Sequence, residues 1–360
     1  MTVPAWALRR LGRLSGGVAL LGGLLLAVTA YASAFGSSGF QLKVTTFLVS
    51  VVMAVGLQIF SGNTGIISFG HMTFVGAAAY IAGLLTMPAP LRTLQAVHLP
   101  GGFLQDAELS FLPATLIAIG VVGVLAALAA GPLLRLPDSS AVIGIFALLL
   151  IAGVIFDNWQ SLTHGAGGLY GLPPSTTIWN SLAWCVVAIA VARWFRDSGV
   201  GLELQASRED DLASASSGVH VRRLRAVAWV LSAMVSAVAG VLFAHQLTAF
   251  SPTSFSLQPT FTVVVMLVVG GMLTVSGAVI GAGLVTLVRQ GVLPYESSSL
   301  HLGPIHLSRL TGLSDLVLVV MILLALYLRQ EGLMGRKELD EHLAGWLRRV
   351  VPAGVRQSAP

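Results

Sequence analysis

Charged residues are scarce in this sequence of 360 residues. Asp, Glu, Lys and Arg together make up 10% of it, whereas a soluble globular domain carries about 25%. Hydrophobic residues make up 55%, and the mean hydropathy is +0.86. This composition excludes an ordinary soluble domain and predicts a protein that crosses the membrane several times.

The residues needed for several kinds of active site are also missing. The two lysines, Lys43 and Lys337, do not follow a glycine-rich phosphate loop, so the sequence has no Walker A motif. No group of His and Cys has the spacing of metal ligands, and no motif predicts a Ser/His/Asp hydrolase. The single cysteine, Cys185, excludes an intrachain disulfide. We therefore predict no catalytic residue, no metal site and no cofactor bound by this chain.

Long apolar runs account for most of the sequence. About eight to ten of them approach the ~20 residues that a helix needs to cross a hydrocarbon core of ~30 Å. In lipid the backbone has to satisfy its own hydrogen bonds, and the runs do not alternate as barrel strands do. The sequence therefore predicts an all-α polytopic membrane protein. The first run, Gly16–Phe35, is interpreted as a retained helix rather than a signal peptide, because it is long and further runs follow.

Glycine and polar residues interrupt the apolar sequence near residues 61–70 and near residues 270–277. Such interruptions are typical of broken or re-entrant helices that face a cavity. Polar groups buried in apolar surroundings cost free energy unless a cavity or a partner satisfies them. The residues that we predict to line a translocation pathway are Gly62, Asn63, Gly65, Ser68, Gly70, His71, Gly270 and Gly271.

Ionisable groups are nearly absent from the runs, and His71 is the one candidate that we identify there. Ion-coupled transporters commonly place Asp, Glu or His at mid-membrane, so this scarcity disfavours ion coupling. A lone His beside small residues more often bonds one helix to another than relays protons, and we favour that interpretation. Gly76, Gly277 and Gly281 are interpreted as helix-packing residues.

Positive charge is distributed unevenly between the two sides of the predicted spans. With the N-terminus inside, all but four of the 20 Lys and Arg residues fall in inside segments. Cytoplasmic segments carry such an excess, so both termini are predicted to be cytoplasmic. The predicted organisation is an N-terminal segment 1–15, a transmembrane domain 16–330 and a C-terminal tail 331–360. The outside residues are Lys43, Arg92, Arg289 and Arg309.

The stretch 193–225 is the longest charged segment between the first and last apolar runs. It contains six Arg residues, an acidic cluster at 209–211, and then small residues leading to Gly218. Acidic residues early in a short helix and a glycine near its end match the preferences set by the helix dipole and the C-cap. We predict a short cytoplasmic helix here that binds a partner, with the flanking arginines as topology anchors. The alternative is an ordinary solvated loop.

Five short motifs follow one another between about residues 45 and 335. They consist of Gly62, Gly65, Ser68, Gly70, His71, Phe74, Gly76, Ala79 and Tyr80; Asn158, Trp159, Ser161, Leu162, Thr163, Gly165, Gly168, Leu169, Gly171 and Pro173; Ser251, Pro252 and Phe255; Met266, Val268, Gly270, Gly271, Gly277, Gly281 and Ala282; and Gly332, Leu333 and Gly335. Their order and spacing resemble the permease subunits of ABC importers for branched-chain amino acids, the LivH/LivM family, and most closely its M-type subunit.

The resemblance implies a function for the charged stretch. It is similar to the EAA-type loop, whose short coupling helix docks in a groove of the ATPase, and the matching residues are Arg208, Glu209, Asp210, Asp211, Ala213 and Gly218. Asp211 and Ser214 stand where Glu and Ala are usual. The resemblance also implies a homologous permease partner, two cytoplasmic ATP-binding subunits and an extracytoplasmic substrate-binding protein, in a prokaryotic inner membrane. The outside loops 157–175 and 247–258 are then expected to dock the binding protein.

Alternatives stay open at this point. One is an ABC permease for urea or an amide. A different class is an ion-coupled secondary transporter or a channel, and a third is an intramembrane enzyme that depends on His71 or Ser68. The pI of about 9.9 does not indicate nucleic acid, because the basic residues follow the positive-inside pattern rather than form a groove. The main expectation is a permease that forms half of a pathway for branched-chain or related amino acids.

Overall fold

A computed structural model describes residues 5–97, 108–297, 300–302, 305–307, 312–329 and 331–342 of the chain. The α-helices are α1 Ala5–Phe35, α2 Ser38–Thr64, α3 His71–Thr86, α4 Ala89–Leu94, α5 Phe111–Leu133, α6 Asp138–Asn158, α7 Gln160–Thr163, α8 Ile178–Arg196, α9 Gly199–Glu209, α10 Asp211–Ser216, α11 Val221–Leu247, α12 Leu257–Gly270, α13 Val275–Ser297 and α14 Leu313–Leu328. Two 3-10 turns cover Gly165–Gly167 and Pro252–Phe255. The strands are β1 Leu169–Tyr170, β2 Ala249–Phe250, β3 Leu300–Leu302 and β4 Ile305–Leu307.

The helices confirm a polytopic membrane protein. Eight of those described are long and apolar enough to cross a membrane. Two shorter apolar helices lie at His71–Thr86 and Asp315–Ala325. The all-α fold is therefore confirmed, within the predicted range of about eight to ten helices.

Both predicted helix breaks are present. After α2, Gly65 adopts a left-handed backbone with φ 78°, and α3 begins only at His71. The second break lies between α12 and α13, where Gly271 has φ 111°. Glycine is favoured at both positions because a side chain is strained at positive φ. The local composition of these two stretches thus determines where the helices end.

Helix α11 lies at the centre of the fold, packed against α2, α3 and α5. The indole N–H of its buried Trp229 donates a hydrogen bond of 3.1 Å to the carbonyl of Ala126, and its ring contacts that of His71. A Cβ at Gly240 would collide with the backbone of Val75 on α3. Such close contact through small residues is typical of helices in membranes.

The peripheral helices keep broad apolar faces exposed. The most apolar windows of the α1, α5 and α6 spans have 22%, 33% and 28% of their residues buried, against 83% for α2. In a bilayer, exposed apolar faces contact lipid or another subunit.

The connecting segments gather at two opposite ends of the helices. At one end β1 pairs antiparallel with β2, the N–H of Leu172 donates to the carbonyl of Thr248 over 3.0 Å, and the Gln95 amide donates to the carbonyl of Tyr170 over 2.9 Å. At the other end lie the stretch 193–225 and both helix breaks. We call these the outer end and the inner end, after the orientation predicted from the charges.

The C-terminal segment packs against the inner end. The N–H groups of Leu333 and Met334 donate to the carbonyl groups of Val269 and Gly270, each over 3.0 Å. Residues 1–4 and 343–360, which belong to the predicted N-terminal segment and tail, lie outside the described residues. The domain boundaries 1–15, 16–330 and 331–360 stay predictions.

Candidate functional site

The charged stretch forms the predicted short helix, with one correction. Asp210 has an extended backbone (φ −154°) and caps α10, because its carboxylate accepts a 2.9 Å hydrogen bond from the N–H of Ala213. Asp211 opens α10, and Gly218 follows its end with φ 86°. The placement of Glu209 within this helix was wrong: it is the last residue of α9. The extended Asp210 separates the two helices, which the charge pattern alone does not reveal.

Helix α10 is exposed at the inner end and is held to α11 at its first residue. None of its residues is buried, and Leu212 is 82% exposed. Asp211 forms a 2.8 Å ion pair with Arg225 at the start of α11. At the end of α9, Arg208 forms a 3.0 Å ion pair with its neighbour Glu209, and the hydrogen bond of this pair lowers the pKa of Glu209. An exposed short helix that is fixed at its start is suited to docking against another protein.

Three of the predicted pathway residues lie against this region. The carbonyl of Gly62 accepts a 2.9 Å hydrogen bond from Arg208, and the Asn63 amide oxygen accepts one of 3.1 Å from Gln205. A Cβ on Gly65 would lie 2.7 Å from Cγ of Arg208. The inner half of the first break therefore contacts α9 rather than a cavity.

The deeper half of the break forms a buried network. Ser68 Oγ lies 2.6 Å from Nδ1 of His71, and Nε2 of His71 lies 2.5 Å from Oγ of Ser232. Ser232 itself donates to the carbonyl of Gly56, so the consistent assignment is a proton on Nε2 and an acceptor at Nδ1. A neutral His71 thus joins α2, α3 and α11, as the interhelical interpretation predicts.

A cavity of about 250 Å³ opens from the outer end toward this network. A much smaller cavity of about 10 Å³ lies below it and is lined by Ser68 and His71. The two share the side chains of Met53, Met72 and Val263, which separate them. Ser68 and His71 are therefore the predicted pathway residues that line a cavity. The three apolar residues carry no sequence signal that distinguishes them from core positions.

Close packing accounts for the remaining predicted glycines. A Cβ on Gly70 would lie 2.6 Å from the carbonyl oxygen of Ile145. A Cβ on Gly270 would collide with Gly277, and Gly271 contacts Gly332 of the C-terminal segment. Gly76, Gly277 and Gly281 also meet neighbouring helices or side chains, as predicted. The structure does not bring Gly270 and Gly271 to either cavity, and a pathway role for them stays a prediction.

The flanking arginines make specific contacts, which corrects their interpretation as topology anchors alone. Arg193 and Arg196 form ion pairs of 3.0 and 3.1 Å with Glu338 of the C-terminal segment. Glu338 is 1% exposed and accepts hydrogen bonds of 2.9 and 3.0 Å from the N–H groups of Val275 and Ser276. Although burial opposes it, the guanidinium groups and the bonds from Ser276 lower the pKa of Glu338.

The sequence did not predict that two ionisable side chains, Glu338 and His245, are buried. Glu338 lies in a charged segment that resembled a solvated tail. His245 lies within an apolar run, is fully buried, and bonds to Thr86 over 2.8 Å and to the carbonyl of Val241 over 2.8 Å. Its position inside the run was the available signal. Within the described part of the chain, no group of three or more His, Cys, Asp or Glu is placed to hold a metal ion.

The sequence is similar to known transport permeases. The family described as "Branched-chain amino acid transport system / permease component" matches residues 39–326. The chain is 24% identical over 294 residues to the high-affinity branched-chain amino acid transport system permease protein LivM of Escherichia coli, covering 72% of this chain and 65% of LivM. It is 23% identical over 310 residues to LivH of the same organism, covering 81% of this chain and 92% of LivH. No solved structure matches the chain.

The similarity covers part of LivM and does not separate the two kinds of permease subunit. The chain spans less than two thirds of the length of the LivM proteins that it matches. The identities to LivM and LivH are nearly equal, so the M-type resemblance stays a prediction. The relatives are transport permeases rather than enzymes.

Proposed function

This chain belongs to the family of permease components of branched-chain amino acid transport systems, and from that premise we propose that it is a transmembrane subunit of an ABC importer. It forms half of the pathway for branched-chain or related amino acids. A homologous permease forms the other half. Two cytoplasmic subunits bind and hydrolyse ATP, and an extracytoplasmic binding protein delivers the solute.

The observation that carries this proposal is the exposed helix α10 at the inner end. Its unburied surface is fixed at its start by the Asp210 cap and by the Asp211–Arg225 ion pair. The chain has no Walker A motif, so an energy source would act through a docking surface. The family resemblance assigns that function to Arg208, Glu209, Asp210, Asp211, Ala213 and Gly218.

The contacts around α10 connect α9 and α10 to the membrane helices α2 and α11. A displacement of α9 and α10 acts on α2 through the Arg208–Gly62 hydrogen bond. It acts on α11 through the Asp211–Arg225 ion pair. These two helices meet at Ser232, which donates to Gly56. ATP-driven closure of the docked subunits would therefore change the packing around His71, below the outer cavity.

The outer cavity suits a neutral or zwitterionic solute with an apolar side chain. Its deeper wall is apolar and includes Met53, Met72 and Val263. The His71 network carries no carboxylate within the described residues, which supports external ATP rather than ion coupling as the energy source.

The β1–β2 pair joins the outer loops 157–175 and 247–258 into one surface, where the binding protein docks. The excess of Lys and Arg at the inner end supports an orientation with both termini in the cytoplasm of a prokaryotic cell.

Copurification with the ATP-binding subunits tests the docking surface. Charge reversal of Glu209, Asp210 and Asp211 is expected to abolish their recovery and leave membrane insertion intact. Gly218→Pro has the same expected result, because proline holds φ near −65° whereas Gly218 has φ 86°. Glu341→Lys, which reverses an exposed charge of the same sign at the inner end, is the control.

Unchanged recovery of the ATP-binding subunits with both altered chains would contradict docking at α10.

Reconstitution tests the class of transporter. Solute uptake is expected only with the ATP-binding subunits and ATP present. Uptake by this chain alone, driven by an ion gradient, would overturn the importer proposal in favour of a secondary transporter.

A further inference from the structure

Arg289 lies at the mouth of the outer cavity. Its side chain, carried by α13, lines this cavity and is half-buried. Among the described residues, no carboxylate forms an ion pair with it, whereas Arg193, Arg208 and Arg225 at the inner end are paired. A partly buried cation without a counter-ion attracts an anion more strongly than an exposed one, because less water screens the charge.

The remainder of the cavity divides into a polar rim and an apolar floor. The rim lies toward the outer end, and its hydroxyl and amide groups come from Thr46, Ser50, Gln246 and Ser254. The floor includes Met53, Met72 and Val263. Among the described residues, no Asp or Glu lines the cavity. This surface favours a solute with an anionic group at the rim and an apolar body below it.

The size and hydrogen bonding of the cavity restrict the solute further. A volume of about 250 Å³ lies just below the roughly 300–1,000 Å³ of pockets for drug-sized ligands, so the cavity suits a smaller solute such as an amino acid. The Gln246 amide donates a 2.7 Å hydrogen bond to Thr46. The oxygen of the same amide keeps its acceptor capacity and can receive a bond from an ammonium group.

We propose that Arg289 binds the α-carboxylate of a small aliphatic amino acid as it enters the pathway, with the solute's side chain on the apolar floor. This inference rests on the proposed transport function and adds the residue that recognises the head group. Guanidinium binds a carboxylate through two parallel hydrogen bonds, which a lysine ammonium does not reproduce. Arg289→Lys therefore retains part of the binding, and Arg289→Gln loses it.

Saturation-transfer NMR on the full chain in phosphatidylcholine nanodiscs tests the site. Three probes share the isobutyl group of leucine: L-leucine, 4-methylpentanoate without the ammonium, and isoamylamine without the carboxylate. Leucine and 4-methylpentanoate are expected to bind, and isoamylamine at least about tenfold more weakly. Arg289→Gln is expected to remove this difference. Lys43→Gln is the matched control, because Lys43 is a cation near the outer end that does not line this cavity.

Equal binding of the three probes, no leucine binding by the unaltered chain, or equal behaviour of R289Q and K43Q would overturn the assignment. Anionic lipid offers the same chemistry through its phosphate. If phosphatidylglycerol displaces leucine from the unaltered chain, Arg289 binds a lipid headgroup and the assignment also fails. Leucine binding that is insensitive to this lipid supports it.

Uptake by the assembled importer separates this inference from the proposed function. ATP-dependent leucine uptake is expected to fall about tenfold in R289Q and to be unchanged in K43Q, with ATP hydrolysis within about twofold in both. Equal uptake by the two variants contradicts the Arg289 site alone. No ATP-dependent uptake by the unaltered importer contradicts the proposed function, whereas Arg289-dependent binding in the nanodiscs would then still support a carboxylate site.

Discussion

The guanidinium of Arg208 donates a 2.9 Å hydrogen bond to the carbonyl of Gly62, and its aliphatic stem packs against Gly65. This contact joins α9 directly to the end of α2. Because Gly65 begins the unwound segment that leads to Ser68 and His71, a movement of α9 is transmitted to the buried network.

Arg208→Met keeps much of the aliphatic stem and removes the charged hydrogen bond. A hydrogen bond to a charged group contributes about 1.5–3 kcal/mol, so we expect ATP-dependent uptake to fall about tenfold or more. ATP hydrolysis by the assembled importer should stay within about twofold. Arg222→Met, an exposed arginine at the start of α11, should leave both rates unchanged. A proportional loss of uptake and hydrolysis would show that Arg208 supports assembly instead of coupling.

His71→Ala should destabilise the protein without creating or removing a response to a proton gradient. The substitution leaves the Ser68 hydroxyl without its buried acceptor and removes the donor to Ser232, which keeps its bond to the carbonyl of Gly56. An unsatisfied buried polar group costs about 1–3 kcal/mol. Thermal unfolding of H71A, S232A and the double variant measures the coupling between the two residues, expected at about 0.5–3 kcal/mol. If H71A unfolds normally while pH-driven uptake disappears, His71 relays protons and the network interpretation fails.

Glu338 should make the stability of the inner end depend on acid pH. Its folded-state pKa lies below the ordinary value of 4.5, so its stabilising effect is complete above about that pH. The stabilising effect is lost as pH falls through the lowered pKa, because protonation neutralises the carboxylate that pairs with Arg193 and Arg196. Glu338→Gln should cost about 3–5 kcal/mol near neutral pH and flatten the acid side of the unfolding curve.

Melting temperature measured against pH tests this expectation for Glu338. Glu341→Gln is the matched control, since it removes an exposed carboxylate three residues further along the same segment. Its curve should follow that of the unaltered chain. An acid-side slope in E338Q as steep as in the control would assign the pH dependence to other carboxylates.

Gly281→Ala and Gly291→Ala form a matched pair on α13. A Cβ at Gly281 would collide with the carbonyl of Met266 on α12, whereas nothing lies within 4 Å of a Cβ at Gly291. Overpacking typically costs about 1–3 kcal/mol, so G281A should lower the melting temperature. G291A should be neutral or stabilising by up to about 1 kcal/mol. Equal melting temperatures for the two variants would mean that α12 and α13 separate easily.

Features that depend on local sequence were predicted well. The apolar runs are long enough to become helices, and Gly65 and Gly271 end two of them because their backbones adopt positive φ. Asp210 and Gly218 bound α10 through a side-chain cap and a left-handed turn. Glu209 was misplaced by one helix, because the extended backbone of Asp210 divides the acidic cluster between α9 and α10.

Contacts between distant segments were not predictable. Glu338 looked like part of a solvated tail until the fold placed it between Arg193, Arg196 and the start of α13. Ser68 and His71, which the sequence singled out, line the small cavity, but the apolar residues beside them were not predicted. An isolated Met or Val in an apolar run has no feature that separates a cavity wall from the core or the lipid face.

The sequence by itself determined that this is a polytopic membrane protein with two broken helices and an exposed charged segment. Composition, run length and glycine placement act locally and need no knowledge of packing. Only the tertiary structure decided what those parts contact. Arg208 bonds to Gly62, and Arg289 lines the outer cavity. These positions depend on which helix faces pack together. Many apolar faces in the sequence look alike, and only the close fit of the folded helices distinguishes them. In the folded protein, the charged stretch therefore contains a helix, α9, that contacts the break between α2 and α3.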